Sequence, residues 1–153
     1  MWPFKSKNLT QTIFSVGNYR LNDSIEGLEN LNEFSNLEYQ TYGREFVEEY
    51  NYNVSTVTFL GYSWKSILGT VNNRIYKIAL FIESETKREA NSIAMSVLNY
   101  CTGEYGKPSV QETGLFIWDA IDGNIVFQTA EIGDKLAINL FLTSNSVCNF
   151  ERR

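Results

Sequence analysis

At 153 residues and 17.6 kDa the chain has room for one domain with a real core, and 43% hydrophobic against 20% charged residues is the balance of a folded protein. A formal charge of −5 offers phosphates no basic surface and argues against nucleic acid as a partner. With no histidine anywhere, Ser-His, Cys-His and His-based zinc chemistry are excluded.

The amino terminus, Met1-Trp2-Pro3-Phe4-Lys5-Ser6-Lys7, lacks the basic-then-apolar order of a secretory signal and is expected to be a loose arm over residues 1–10. Its aromatic and basic residues form too short a patch for stable membrane association. No run approaches the ~20 apolar residues of a membrane-spanning helix. Residues 11–16 (QTIFSV) read as a short strand that Gly17-Asn18 breaks. Asn22-Asp23-Ser24 then offers an N-cap for a short helix over 24–34, with Ile25, Leu28, Leu31 and Phe34 on its apolar side.

Residues 37–42 alternate weakly. From Arg44 to Asn53 acids and aromatics are interleaved, and 54–62 (VSTVTFLGY) is the β-branched, aromatic stretch of a strand. Residues 66–71 and 74–83 flank Asn72-Asn73, two residues that tolerate the positive φ of a tight hairpin. The second strand, RIYKIALFIE, is apolar on both faces and is expected to be buried on both.

After Glu83 the period changes from two to 3.6. Ala90, Ile93, Ala94, Val97, Leu98 and Cys101 form one stripe, which predicts an amphipathic helix over 84–102. Thr86-x-x-Glu89 is a capping box with Ser84 as the competing N-cap, and Thr102 is followed by Gly103, Gly106 and Pro108, which stop helices. A meander follows: 115–118, a turn at Asp122-Gly123, a strand over 124–130, a turn at Gly133-Asp134 and a strand over 135–143. The tail, 144–153, is polar and expected to fray.

The fold expected is α+β: a mostly antiparallel sheet of about five to seven strands, one long helix from Ser84 to Thr102 packed on one face, and the shorter N-terminal helix. Residues 1–153 make one globular domain. Cys101 in the helix stripe and Cys148 near the end form no disulfide framework, and with no secretory signal the expected compartment is the cytoplasm. Three Asn-x-Ser/Thr matches, at Asn8, Asn22 and Asn53, are what an Asn-rich chain gives by chance.

The charge is unevenly placed. Between Asp23 and Glu49 eight acids face one base, a net of −7, while the other ten acids and twelve bases net +2. Tyr39, Tyr42, Phe46, Tyr50 and Tyr52 are set among these acids. Tyrosine contributes a large amphipathic contact area, and carboxylates beside it steer a basic partner. The expected binding residues are therefore Tyr42, Glu45, Glu48, Glu49, Tyr50 and Tyr52. The expected function is a non-catalytic interaction module for a basic protein, as an immunity protein or inhibitor uses against a toxin. No cofactor or metal is expected. The alternatives are a small-ligand binder on the sheet face, lined by Trp64, Trp118 and Phe127, and an enzyme using paired carboxylates such as Asp119 with Asp122.

Overall fold

The computed structural model describes residues 15–29, 31–40 and 46–144. Eight strands and one helix follow in the order β1 (Asn32–Gln40), β2 (Phe46–Phe59), β3 (Tyr62–Val71), β4 (Arg74–Ser84), α1 (Lys87–Tyr105), β5 (Val110–Glu112), β6 (Leu115–Ala120), β7 (Gly123–Ile132) and β8 (Lys135–Ser144). All eight strands form one antiparallel sheet in the spatial order β1-β2-β3-β4-β8-β7-β6-β5. Each half of the chain is thus a four-strand meander, and α1 carries the chain from the centre of the sheet to its far edge. The second meander returns inward, so that β8 closes on β4 in register from Lys77 opposite Thr143 to Ser84 opposite Leu136.

Tight turns fix the neighbours. Asn72 and Asn73 both take positive φ, 55° and 64°, the left-handed pair that matches strand twist. Gly133 opens the β7–β8 turn at φ 62°. The β6–β7 turn sits one residue earlier than expected: Ala120 pairs with Gly123, leaving Ile121 and Asp122 as the loop. One turn escapes a reading of residue types, because β2 ends at Phe59 and Leu60-Gly61 reverses the chain with φ 56° and 82°. A leucine in that region is strained by its Cβ.

The expected helix forms three residues later. Thr86 caps it, its hydroxyl accepting from Glu89 N at 3.2 Å. Ser84 supports the cap instead of making it: its hydroxyl accepts from Thr86 N and lies 2.8 Å from Glu89 Oε1. Gly103 is accommodated inside the last turn, and the stop comes at Gly106, φ 82°. Ala90, Ile93, Val97, Cys101 and Tyr105 face the sheet, where α1 packs against β4, β6 and β8.

Between helix and sheet lies the core. Trp64, Leu68, Ile78, Leu80, Trp118, Ile125, Phe127, Leu140 and Leu142 are all buried there. Each such side chain contributes about 1.5–3 kcal/mol through burial. The tryptophans and Phe127 expected to line a ligand cavity are therefore interior filling. Cys101 is a free, buried thiol.

Two expectations are corrected. The sheet has eight strands instead of five to seven, because β1 and the three-residue β5 are strands that the sequence does not clearly announce. The short helix over 24–34 is absent. There the chain bridges to the β3–β4 turn through Ile25 N to Asn73 O, Ile75 N to Asp23 O and Asn22 N to Ile75 O, and residues from Asn32 belong to β1. The physical cause is local: Gly27, inside the span, holds a left-handed conformation (φ 86°) that no helix contains. The hydrophobes that suggested the helix, Ile25, Leu28 and Leu31, still pack on the core, but from a non-helical segment. The strand expected over 11–16 lies almost wholly outside the described residues, as do the arm 1–10 and positions 145–153. Within it, Val16 makes a single bridge to Tyr19. Among the described residues no helix is long and apolar enough to cross a membrane.

Candidate functional site

Four of the eight acids, Glu33, Glu38, Glu48 and Glu49, belong to the β1–β2 ribbon at one edge of the sheet. In a strand successive side chains point to opposite faces, and this divides the segment. Glu48, Tyr50 and Tyr52 alternate onto one face, the side where Tyr52 is opposite core Leu68. Glu49 and Asn51 alternate onto the other, opposite Val71 and Gly69.

On the first face the acids are exposed. Glu48 accepts a hydrogen bond from the Tyr50 hydroxyl at 2.9 Å, and Glu33 on β1 is the register partner of Tyr52. Both Glu33 and Glu48 are exposed, while the two tyrosines are half-buried. The hydrogen bond to Glu48 pushes the Tyr50 phenol above its ordinary value, with the charges of Glu48 and Glu33 adding to the effect. In the β1–β2 ladder the backbone of Glu38 pairs with that of Glu48.

On the second face Glu49 is only 5% exposed. It accepts from Asn51 Nδ2 at 2.9 Å and from the hydroxyl of Tyr76, and its Oε2 is 3.5 Å from Lys77 Nζ. Burial works against its charge, but the hydrogen bonds from Tyr76 and Asn51 and the Lys77 ammonium outweigh it, holding the carboxyl below its ordinary value. The ionised form is thus enclosed and satisfied.

Of the six residues expected to bind a partner, Glu48, Tyr50 and Tyr52 share a face. Glu49 belongs to an internal cluster on the opposite face. Tyr42 and Glu45 lie outside the described residues. Glu33, which sequence reasoning passed over, joins the first group through the β1–β2 register. Extending the strand back to Phe46 and counting by twos is the signal that separates 48, 50 and 52 from 49.

Comparison with protein-family models, curated proteins and solved structures finds no match.

The remaining chemistry is sparse. Among the described residues no group of three or more Cys, Asp and Glu side chains is placed to hold a metal. Asp119 is an exposed residue on β6 and Asp122 is part of the β6–β7 turn. Two open grooves exist. The larger, about 940 Å³, lies where β3, β4 and β8 meet the start of α1 and includes Lys65, Phe81, Glu83, Lys135 and Asn139. The smaller, about 510 Å³, runs between the segment 17–29 and the β2 bulge at Ser55 and Thr56. Neither contains Trp64, Trp118 or Phe127.

Proposed function

We propose that the protein is a non-catalytic binding module that presents the acidic, tyrosine-bearing face of its β1–β2 ribbon to a basic surface on another protein. The observation that supports this is the convergence of Glu33 and Glu48 with Tyr50 and Tyr52 on one face of an edge ribbon. Negative charge gathered on one face of a ribbon attracts an incoming cation. The rings supply apolar area beside the charges, the composition that interfaces favour. A neutralising immunity protein or inhibitor acting on a basic toxin has this kind of surface. Glu49 takes no part in contact, since its carboxylate is spent on Tyr76, Asn51 and Lys77.

The test compares capture of a basic partner from the native host by the unmodified chain, by Glu33→Lys/Glu48→Lys and by Glu49→Gln. The expected result is capture by the first and third, weakened as salt is raised, and loss in the double reversal. Undiminished capture by the double reversal overturns the proposal.

A further inference from the structure

The sheet face turned away from α1 carries a pattern that the acidic ribbon does not explain. Reading the register across six strands, Ile67, Ala79, Phe141, Val126, Ile117 and Val110 lie in one continuous apolar row from β3 through β4, β8, β7 and β6 to β5. An antiparallel sheet with one face on a core ordinarily places polar residues on the other. The rows on either side of this stripe are more polar, and charged at their ends. One contains Lys77, Thr143, Asn124 and Asp119, and the other runs from Lys65 through Phe81, Asn139, Gln128 and Leu115 to Glu112.

These three rows share a centre. In the strand order the midpoint between Lys77 and Asp119, between Lys65 and Glu112, and between the two ends of the apolar row falls each time in the gap between β8 and β7. A two-fold axis along the strands through that gap sends every position to one of matching chemistry. Phe141 meets Val126, Ala79 meets Ile117, Phe81 meets Leu115 and Asn139 meets Gln128, while Lys65 meets Glu112 and Lys77 meets Asp119. Lys65, Glu112 and Asp119 are exposed. Lys77 has three donors and keeps its contact with Glu49 while reaching outward.

We infer that this face is a self-complementary interface through which two copies of the chain pack sheet against sheet as an isologous dimer. Aligned sheets stack ~10 Å apart with interdigitating side chains, which suits a row of medium-sized apolar residues. Six strands ~4.8 Å apart and three rows ~7 Å apart cover roughly 500 Å² on each copy, about 1,000 Å² in all, the lower bound of a specific interface. The larger groove opens at the Lys65 and Asn139 row, so contact is closest along the apolar row and the ion pairs form its rim. The acidic face of the β1–β2 ribbon lies on the other side of the sheet and stays free for its own partner, so this interface stands independently of the proposed function.

The test is sedimentation of the full chain over roughly 1–200 µM. The expected mass rises with concentration from 17.6 kDa toward twice that value. By symmetry Glu112→Lys faces Lys65 of the second copy at two places, and it is expected to weaken the dimer at least about tenfold, as is Lys65→Glu. The double swap, Lys65→Glu/Glu112→Lys, restores both pairs and with them the association. All four residues changed or created are at the surface, and thermal melting of each variant shows that folding is kept. A chain that stays at 17.6 kDa throughout, or a dimer indifferent to the single reversals, or singles that the double swap does not rescue, overturns the inference.

Discussion

The Tyr76 hydroxyl donates to the Glu49 carboxylate across an intervening strand. Glu49 is on β2 and Tyr76 on β4, so the two backbones are separated by β3, about 10 Å away at sheet spacing. Two local features close the gap. β3 offers Gly69 at the crossing point, and the ladder skips there: Gly69 pairs with Lys77 and Thr70 with Ile75, leaving Tyr76 as the extra residue of a bulge. The bulge turns the ring onto the face away from α1, over the glycine.

Glu49→Gln tests how the enclosed charge contributes to stability. The folded carboxyl titrates below its ordinary value of 4.5, so its contribution is complete above that value and is lost as pH falls through the lowered one. The unmodified chain is therefore expected to lose unfolding free energy steeply on acidification through the carboxylate range. Glu49→Gln is less stable at neutral pH by about 1–3 kcal/mol, and its acid limb is flatter. Urea unfolding from neutral pH downward measures both, and parallel pH profiles would show that Glu49 is not the group responsible.

Gly69→Ala gives a second handle, because its sign is diagnostic. The φ of Gly69 is not left-handed, so in an ordinary strand alanine there would stabilise the fold by about 0.4–1 kcal/mol through the unfolded chain. Here a Cβ would sit 3.0 Å from Lys77 Cε, 3.1 Å from Tyr76 Cε1 and 3.3 Å from Asn51 Oδ1. Lysine can swing aside, but tilting the phenol away weakens its bond to Glu49. A net loss of about 1–2 kcal/mol is expected, shrinking when Tyr76→Phe is already in place. Additive effects in that double-mutant cycle would rule out the coupling.

The cluster also shows where sequence reading stops. Asn72-Asn73, Gly133-Asp134 and the stripe from Ala90 to Cys101 are local signals, each set by residues within a turn or a few turns of one another, and each appears where expected or within three residues of it. β1 is barely legible, because an edge strand rich in Asn and Glu, with only weak alternation from Leu37, has no β-branched residues to declare it. Glu49 is misplaced for a different reason. Its partner lies 27 residues away and reaches it only through a bulge and a missing side chain, neither of which has a composition signature. The charge of the acidic segment was visible, but its division between two faces depends on a strand beginning at Phe46 instead of Val54.

The two fully buried tryptophans are expected to respond differently to replacement by phenylalanine. Trp64 Nε1 donates to the Phe59 carbonyl at 2.9 Å, pinning the residue next to the strained Leu60-Gly61 turn. Among the described residues Trp118 Nε1 finds no hydrogen-bond partner, although its ring stacks with Phe116 at 6.0 Å. Both substitutions remove similar volume, but Trp64→Phe also strands a carbonyl, while Trp118→Phe removes an unsatisfied donor. Trp64→Phe is expected to cost about 1–2 kcal/mol more than Trp118→Phe in denaturant unfolding. Equal losses would mean that the indole nitrogens play no part.

Cys101 is a nucleophile disarmed by position. It has no exposed surface, it faces the sheet from the middle of the helix stripe, and burial pushes its thiol up to about 12. The thiolate is the reactive form, and an apolar site disfavours it. In a Cys148→Ser chain, where Cys101 is the remaining thiol, a disulfide reagent at mildly alkaline pH is expected to label the native protein only as fast as the helix opens or the fold unfolds, and to label it fully in urea. Because opening exposes the thiol along with Ile93 and Val97, destabilising variants such as Trp64→Phe should raise the logarithm of the labelling rate in proportion to their loss of stability. Native labelling at the rate of a free cysteine would remove Cys101 from the core, and with it the face by which α1 holds the two meanders together.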